Sequence, residues 1–424
     1  APCPASSSQR HPVSRRAGWL ASGLLVVAAL ITYAGSFSLP FIFDDHGAIL
    51  KNPTILTLTE AWSPPTDGRA VTNRPILNLS FALNYAWGKE DVASYRLTNL
   101  AIHAMAGLTL FGLVRRTLSR PILRERFGAS VLPLAFTVAL LWIVHPLQTE
   151  SVSFAAQRTE TLVSLFYLLT LYCFARGAEA PRSRPWPWLT VLACLLGMGS
   201  KEVMVSAPVM VLLYDRTFFS GTFATAWARH RWLYVGLIAT WPLLGFLIST
   251  GYSGRAFADG YDPNCTAWTY LLKQCEAIVR YLWLSIWPHP LVMDYGTDVV
   301  LHLRSVLSQA LLLVTLFAGS VACLWRRPVI GFLGIWFFAI LSPSSSFIPL
   351  PAQTMAEHRM YLPLVAIIAG GVVGLFLLIG RRSVVWSLAA ALACVVLTAR
   401  RNLDYRTETT IWRDTVAKRP GNDR

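Results

Sequence analysis

The chain has 424 residues, 54% of them hydrophobic and 14% charged, with a mean hydropathy of +0.48 and a formal net charge of +15. Many separate apolar runs of spanning length exclude a soluble globular domain. No alternating pattern of about ten residues points to a membrane barrel, so the composition indicates a polytopic α-helical membrane protein embedded in a lipid bilayer.

The positive charge would suggest nucleic acid in a soluble chain. Here the arginines stand in short clusters between apolar runs, which is the positive-inside signature of topology, and no nucleic-acid partner is expected. The cysteines show neither metal-binding nor redox spacing. Cys265 and Cys275 alone share a loop region, and a disulfide between them stays open.

Residues 1–16 read as a cytoplasmic tail that Arg15 and Arg16 anchor, followed by a first span from Ala17 to Phe37. Ala34-Gly35-Ser36 would serve as a signal-peptide cleavage site, but the run is long enough to cross and is read as uncleaved. Its exit leads directly into Ser38-Leu39-Pro40-Phe41-Ile42-Phe43-Asp44-Asp45-His46-Gly47. Two carboxylates and an imidazole at a membrane boundary are costly to desolvate and mark a functional site; the plainer reading is a solvated helix cap.

A long loop over 38–95 follows, with Asn73-Arg74-Pro75 and an apolar stretch from Ile76 to Trp87 that is too short to span and reads as an interfacial helix. The second span, Tyr95 to Val114, carries Arg96, Asn99 and His103 on one face at its outer end. Basic residues from Arg115 to Arg126 place the next loop inside. The third span reaches His145-Pro146-Leu147-Gln148-Thr149-Glu150, and the chain returns through Ser151 to Phe174, with Glu150, Gln157 and Arg158 expected on one face and Glu160 deeper. The plainer reading of these charges is an ion pair holding two helices together.

Arg176, Arg182 and Arg184 mark another inner loop. Spans over Trp186–Gly199 and Val203–Phe219 are joined by Ser200-Lys201-Glu202, either a functional Lys-Glu pair beside the membrane or a solvated turn. A further span runs from Trp232 to Ser249. In the outer loop 250–304, Trp268 to Trp287 is expected as an interfacial or re-entrant helix, because a crossing there would put Arg326-Arg327 and Arg381-Arg382 outside. Spans over Ser305–Trp325, Val329–Leu341, Tyr361–Ile379 and Val384–Ala399 bring the total to about eleven, with the N-terminus inside and the C-terminus outside. The outer loop 342–360 ends in Glu357-His358-Arg359-Met360-Tyr361-Leu362-Pro363.

The ordered series Phe43-Asp44-Asp45, Asn73-Arg74-Pro75, Tyr95 to His103, His145 to Glu150, Lys201-Glu202 and Glu357 to Pro363 resembles the membrane half of the transmembrane-and-tetratricopeptide-repeat O-mannosyltransferase family and its bacterial relatives. The likeness covers nearly the whole chain. Thr410 to Asn422 resembles the opening of a tetratricopeptide array. The resemblance implies the GT-C glycosyltransferase fold: an all-α catalytic domain over 17–399 and the start of an extracytoplasmic repeat region over 400–424. It also implies an inverting transfer of a mannose-like sugar from a polyprenyl-phosphate donor to a protein Ser/Thr or glycan acceptor. The compartment would be the periplasmic face of a bacterial inner membrane, or the lumenal face of the endoplasmic reticulum.

Such a transfer needs a base for the acceptor proton and cations for the leaving phosphate. Asp44 is the first choice of base and Asp45 the second. Arg158, Lys201 and Arg359 are expected to clamp the phosphate, arginine being favoured for its planar fork. Arg74, Arg96, Asn99, His103, His145, Glu150, Glu202, Glu357 and His358 would orient these groups or contact sugar and acceptor. No firm cofactor is expected; a divalent cation at Asp44/Asp45 stays open, although hard cations usually take more oxygen ligands than one such pair supplies. The competing reading, a transporter or flippase of lipid-linked sugars, predicts an internal repeat and charges at span centres.

Overall fold

A computed structural model describes residues 15–180, 185–256, 264–346 and 348–422. Most of the expected N-terminal tail, residues 1–14, lies outside these, as do Arg182 and Arg184 of one basic loop. Among the described residues every regular element is helical: α1 (Arg15–Tyr33), α2 (Pro75–Gly88), α3 (Val92–Leu118), α4 (Pro121–Phe127), α5 (Val131–Val144), α6 (Thr149–Ser153), α7 (Arg158–Glu179), α8 (Pro185–Met198), α9 (Ala207–Asp215), α10 (Phe223–Ile238), α11 (Trp241–Ala256), α12 (Ala267–Leu284), α13 (Leu307–Arg326), α14 (Pro328–Leu341), α15 (Leu364–Ile379), α16 (Arg382–Asp404) and α17 (Glu408–Lys418).

Eight stretches are long and apolar enough to cross a membrane, those holding α1, α3, α4 with α5, α7, α9, α10 with α11, α13 and α16; α8, α14 and α15 are shorter apolar helices. The runs that the sequence marks as spans are therefore all helical. α12 is the interfacial candidate. Its buried residues Tyr270, Lys273, Gln274, Ala277, Tyr281 and Leu284 repeat at helical spacing on one side, while Trp268 and Trp283 stay exposed.

Local chemistry sets the ends. Asp91 caps α3 by accepting from the Ala93 and Ser94 amides, and Thr266 and Thr407 open α12 and α17 with reciprocal capping boxes. α5 stops at His145 because the residue before Pro146 is pushed to extended backbone (φ −68°, ψ 135°).

One expectation is corrected here. The returning helix does not run unbroken from Ser151: Phe154 is extended (φ −102°, ψ 117°) and separates α6 from α7. Glu150 and Arg158 therefore sit on different elements and share no helical face. A second, smaller adjustment is the break at Ala239 and Thr240 that divides the expected 232–249 span between α10 and α11.

Two apolar cores follow from this arrangement. The larger runs through the bundle, around Leu25, Leu134, Val138, Leu168 and Met210. The smaller lies beneath the 38–95 loop and joins Ile42, Ile49, Leu77 and Phe81 to Phe154, Met293, Tyr405 and Ile411. It works as a cap on one end of the bundle, drawing residues from distant parts of the chain onto the Asp44-Asp45 stretch.

Candidate active site

Asp45 is fully buried in that cap. Its carboxylate accepts from the Ala156 amide at 2.6 Å and the Ile42 amide at 3.1 Å, and Arg96 Nη2 stands 3.7 Å away while donating to the Pro40 carbonyl at 2.7 Å. Burial pushes the Asp45 carboxyl up to about 6, against the lowering pull of Arg96 and the two amides. Asp44 is the partly exposed member of the pair. Between Ile42 and Asp44, Phe43 adopts φ 44°, a left-handed conformation that costs a side-chain-bearing residue roughly 1–2 kcal/mol. Its ring meets Trp412 of α17 edge to face at 5.6 Å. The turn is thus pinned from both sides of Asp44, by a buried carboxylate and by an aromatic pair.

The expected phosphate clamp is dispersed. Arg158 is fully buried, donating from Nε to Asn99 at 2.6 Å, from Nη1 to the Ser80 carbonyl at 3.0 Å and from Nη2 to the Tyr95 carbonyl at 3.1 Å, with its plane over the Phe81 ring. It braces α2, α3 and α7 and turns no edge outward. Asn99 is taken up in the same brace. Arg359 donates to Tyr270 at 3.1 Å and to the Thr354 and Gln353 carbonyls, and so stitches the 348–360 loop to α12. Lys201 is paired with Glu160, and Arg74 approaches Glu202 at 3.4 Å, so the Ser200-Lys201-Glu202 turn is a buried ionic link rather than a solvated hairpin.

The Glu357-His358-Arg359 turn is held beside α6. Glu150 accepts from the His358 amide at 3.1 Å and pairs with His358 Nδ1 at 2.7 Å, while His358 Nε2 lies 3.8 Å from Glu160. Glu357 accepts from the Val292 amide at 2.7 Å and the Tyr295 hydroxyl at 2.6 Å. Burial raises Glu150 to about 8 and Glu357 to about 7, and lowers His358 to about 3. Burial thus disfavours the charged form on both sides of the Glu150–His358 pair.

His103 lies deeper, between Tyr361 Oη at 2.6 Å and the Ile143 carbonyl at 3.0 Å, stacked on Trp142. His145 is also internal: it accepts from the Leu147 amide, reaches the Ser285 carbonyl at 3.2 Å, and is held by burial down at about 4. No group of three or more His, Cys, Asp or Glu side chains able to hold a metal occurs among the described residues. Cys275 keeps a free thiol and makes no disulfide with Cys265.

The mouse protein O-mannosyl-transferase TMTC2 is 27% identical over 305 residues, covering 65% of this chain and 35% of its own length. The Drosophila melanogaster protein O-mannosyl-transferase Tmtc3 is 26% identical over 469 residues, covering 92% of this chain and 50% of its own. The chain is similar to these O-mannosyl-transferases over most of its length. It spans only about a third to a half of theirs. No family model matches. A crystal structure of ArnT from Cupriavidus metallidurans bound to undecaprenyl phosphate superposes with a TM-score of 0.47 at 15% identity, over 95% of this chain and 78% of that one.

Asp44, Asp45, Arg96, Glu150, Glu357 and His358 gather at one bundle end. His103 and Arg158 are internal braces. What the sequence reading passes over is a set of cations with spare donors, Arg280 on α12 and Arg419 just after α17.

Proposed function

We propose that this chain is a membrane glycosyltransferase of the GT-C type that moves a mannose-like sugar from a polyprenyl-phosphate donor to a hydroxyl acceptor, on the side of the membrane opposite the basic loops. The likeness to the O-mannosyl-transferases supports sugar transfer, and protein Ser or Thr is the acceptor it favours. The observation that carries the chemistry is the asymmetry of the carboxylate pair. Asp45 is spent on the Ile42 and Ala156 amides, and this fixes a turn on which Asp44 is the accessible carboxylate.

In this reading Asp44 takes the proton of the acceptor hydroxyl as its oxygen attacks the anomeric carbon. The bond from that carbon to the phosphate oxygen breaks, and its electron pair leaves with the polyprenyl phosphate. The eight spanning stretches and the three shorter apolar helices act as spans, with the arginine clusters cytoplasmic and Asp44 facing periplasm or lumen.

The test is to reconstitute the chain in vesicles and offer radiolabelled polyprenyl-phosphate sugars one at a time with a Ser/Thr-rich peptide acceptor. Label should pass to the acceptor from a mannose donor. Passage of intact lipid-linked sugar across the bilayer with no transfer would instead establish the flippase reading, and inertness toward every donor would defeat both.

A further inference from the structure

Among the described residues, most buried cations have matched partners. Arg74 approaches Glu202, Arg96 stands by Asp45, Lys201 by Glu160 and Arg401 by Asp404 and Asp414, while Arg158 and Arg359 are filled by carbonyls, an amide and a hydroxyl. Arg280 and Arg419, both half-buried, differ in having no carboxylate partner among the described residues, and both line a groove of about 590 Å³ between α12 and α17. Arg280, Lys418 and Arg419 line it, against Glu276 as the one carboxylate, with Trp283 and Tyr295 forming apolar wall. Arg280 reaches the Pro290 carbonyl only at 3.4 Å, and its Nε is buried without a partner. The Arg419 guanidinium lies over the Tyr295 ring at 4.9 Å. Neither arginine makes an ion pair among the described residues, whereas Lys418 is paired with Asp414 at 2.7 Å. Two guanidinium groups with donors to spare, backed by aromatic rings, suit the oxygens of a phosphate.

Placement narrows the ligand to an amphiphile. Trp268, Trp283, Ile286 and Trp287 are more than half exposed along α12 and its end, a pattern suited to the bilayer interface, and the groove also takes in Gln309 in the first turn of the long apolar α13. A phosphate carried by a membrane lipid can enter sideways. Placement also ties the groove to Asp44. α17 touches Phe43 through Trp412 and reaches the groove at Arg419, seven residues on, which is about 10 Å at 1.5 Å per residue. Tyr295, beneath Arg419, donates to Glu357 of the same bundle end. A sugar joined to a phosphate in the groove can therefore lie toward the Asp44 turn.

We propose that this groove seats the phosphate of the polyprenyl-phosphate sugar, gripped by Arg280 and Arg419, and that α17, the first helix of the tail, is part of the donor site. The assignment rests on the glycosyltransferase reading above.

The test uses the full chain in neutral phosphatidylcholine nanodiscs, titrated with undecaprenyl phosphate, with phosphatidylglycerol and with inorganic phosphate. Wild type is compared with Arg280→Gln, Arg419→Gln and the double variant. Each single change should weaken undecaprenyl phosphate binding at least about tenfold, as expected for a lost charge-assisted contact, while phosphatidylglycerol binding is unaltered. A second measurement needs no variant: phenylglyoxal labelling of the folded wild type, read by peptide mass spectrometry, should show Arg280 and Arg419 protected by undecaprenyl phosphate. Wild-type affinity in the double variant, or no protection, overturns the groove assignment and leaves the enzyme reading standing. Equal protection by phosphatidylglycerol or by inorganic phosphate makes it a general headgroup or small-anion site and also overturns it. If wild type binds no undecaprenyl phosphate at all, the glycosyltransferase reading itself falls.

Discussion

Adjacent carboxylates look interchangeable in a sequence, and here they are not. Asp45 accepts two amides and faces Arg96 in a fully buried pocket, so it maintains the turn; Asp44 is left partly exposed beside a strained Phe43. Replacing Asp45 by Asn sets an NH2 group against one of those amide donors and removes the charge opposite Arg96. Leaving buried donors unmatched costs about 1–3 kcal/mol, so Asp45→Asn is expected to lower the unfolding temperature clearly, and a detergent-solubilised melt would show it. An unchanged melt would mean that the pocket does not depend on this carboxylate. The different fates of the two residues were not legible in the sequence, because the partners that consume Asp45 are backbone amides, which carry no side-chain signature. The same holds for Arg158, whose sequence position beside Gln157 and Glu160 suggested a ligand contact and whose actual partners are mostly carbonyls.

At the scale of elements, the length of apolar runs located the helices of the bundle, since hydropathy is a local property. The break at Phe154 was missed because nothing in Ser151-Val152-Ser153-Phe154-Ala155-Ala156 forbids a helix; the cap core draws Phe154 inward and Asp45 takes the Ala156 amide. Helix contacts between distant segments were equally hidden. The α13–α14 hairpin shows how tight they are: a Cβ on Gly331 would lie 2.4 Å from the Leu324 backbone nitrogen, whereas one on Gly371 would meet nothing within 4 Å. Backbone cannot yield as a flexible side chain can, so Gly331→Ala should force the two helices apart. Reduced yield and a lower melting temperature are expected for Gly331→Ala, with Gly371→Ala close to wild type. Equal behaviour of the two variants would show that the hairpin is looser than described.

For the whole molecule, the buried acid–base groups set a pH dependence. Burial raises Glu150 to about 8 and Glu357 to about 7, so the folded chain holds these protons more tightly than the unfolded one, whose carboxyls titrate near about 4.3. Their stabilising contribution is complete at low pH and is lost as pH climbs through those values. His358, lowered to about 3 by burial, acts in the opposite sense, but only below about 6.5, where the unfolded imidazole takes up a proton. Melting temperature should accordingly rise between pH 8 and pH 6.5, and Glu150→Gln should flatten part of that rise; a profile that falls over the same interval would contradict the buried, neutral pairing. The central claim, that the turn after the first span carries the chemistry, is tested most directly by single-turnover sugar transfer from a polyprenyl-phosphate mannose donor with wild type and Asp44→Asn. The substitution keeps the shape and removes the base, so the rate should fall roughly a hundred- to ten-thousand-fold while donor binding persists. Transfer at the wild-type rate by Asp44→Asn would contradict the claim and return that turn to a helix cap.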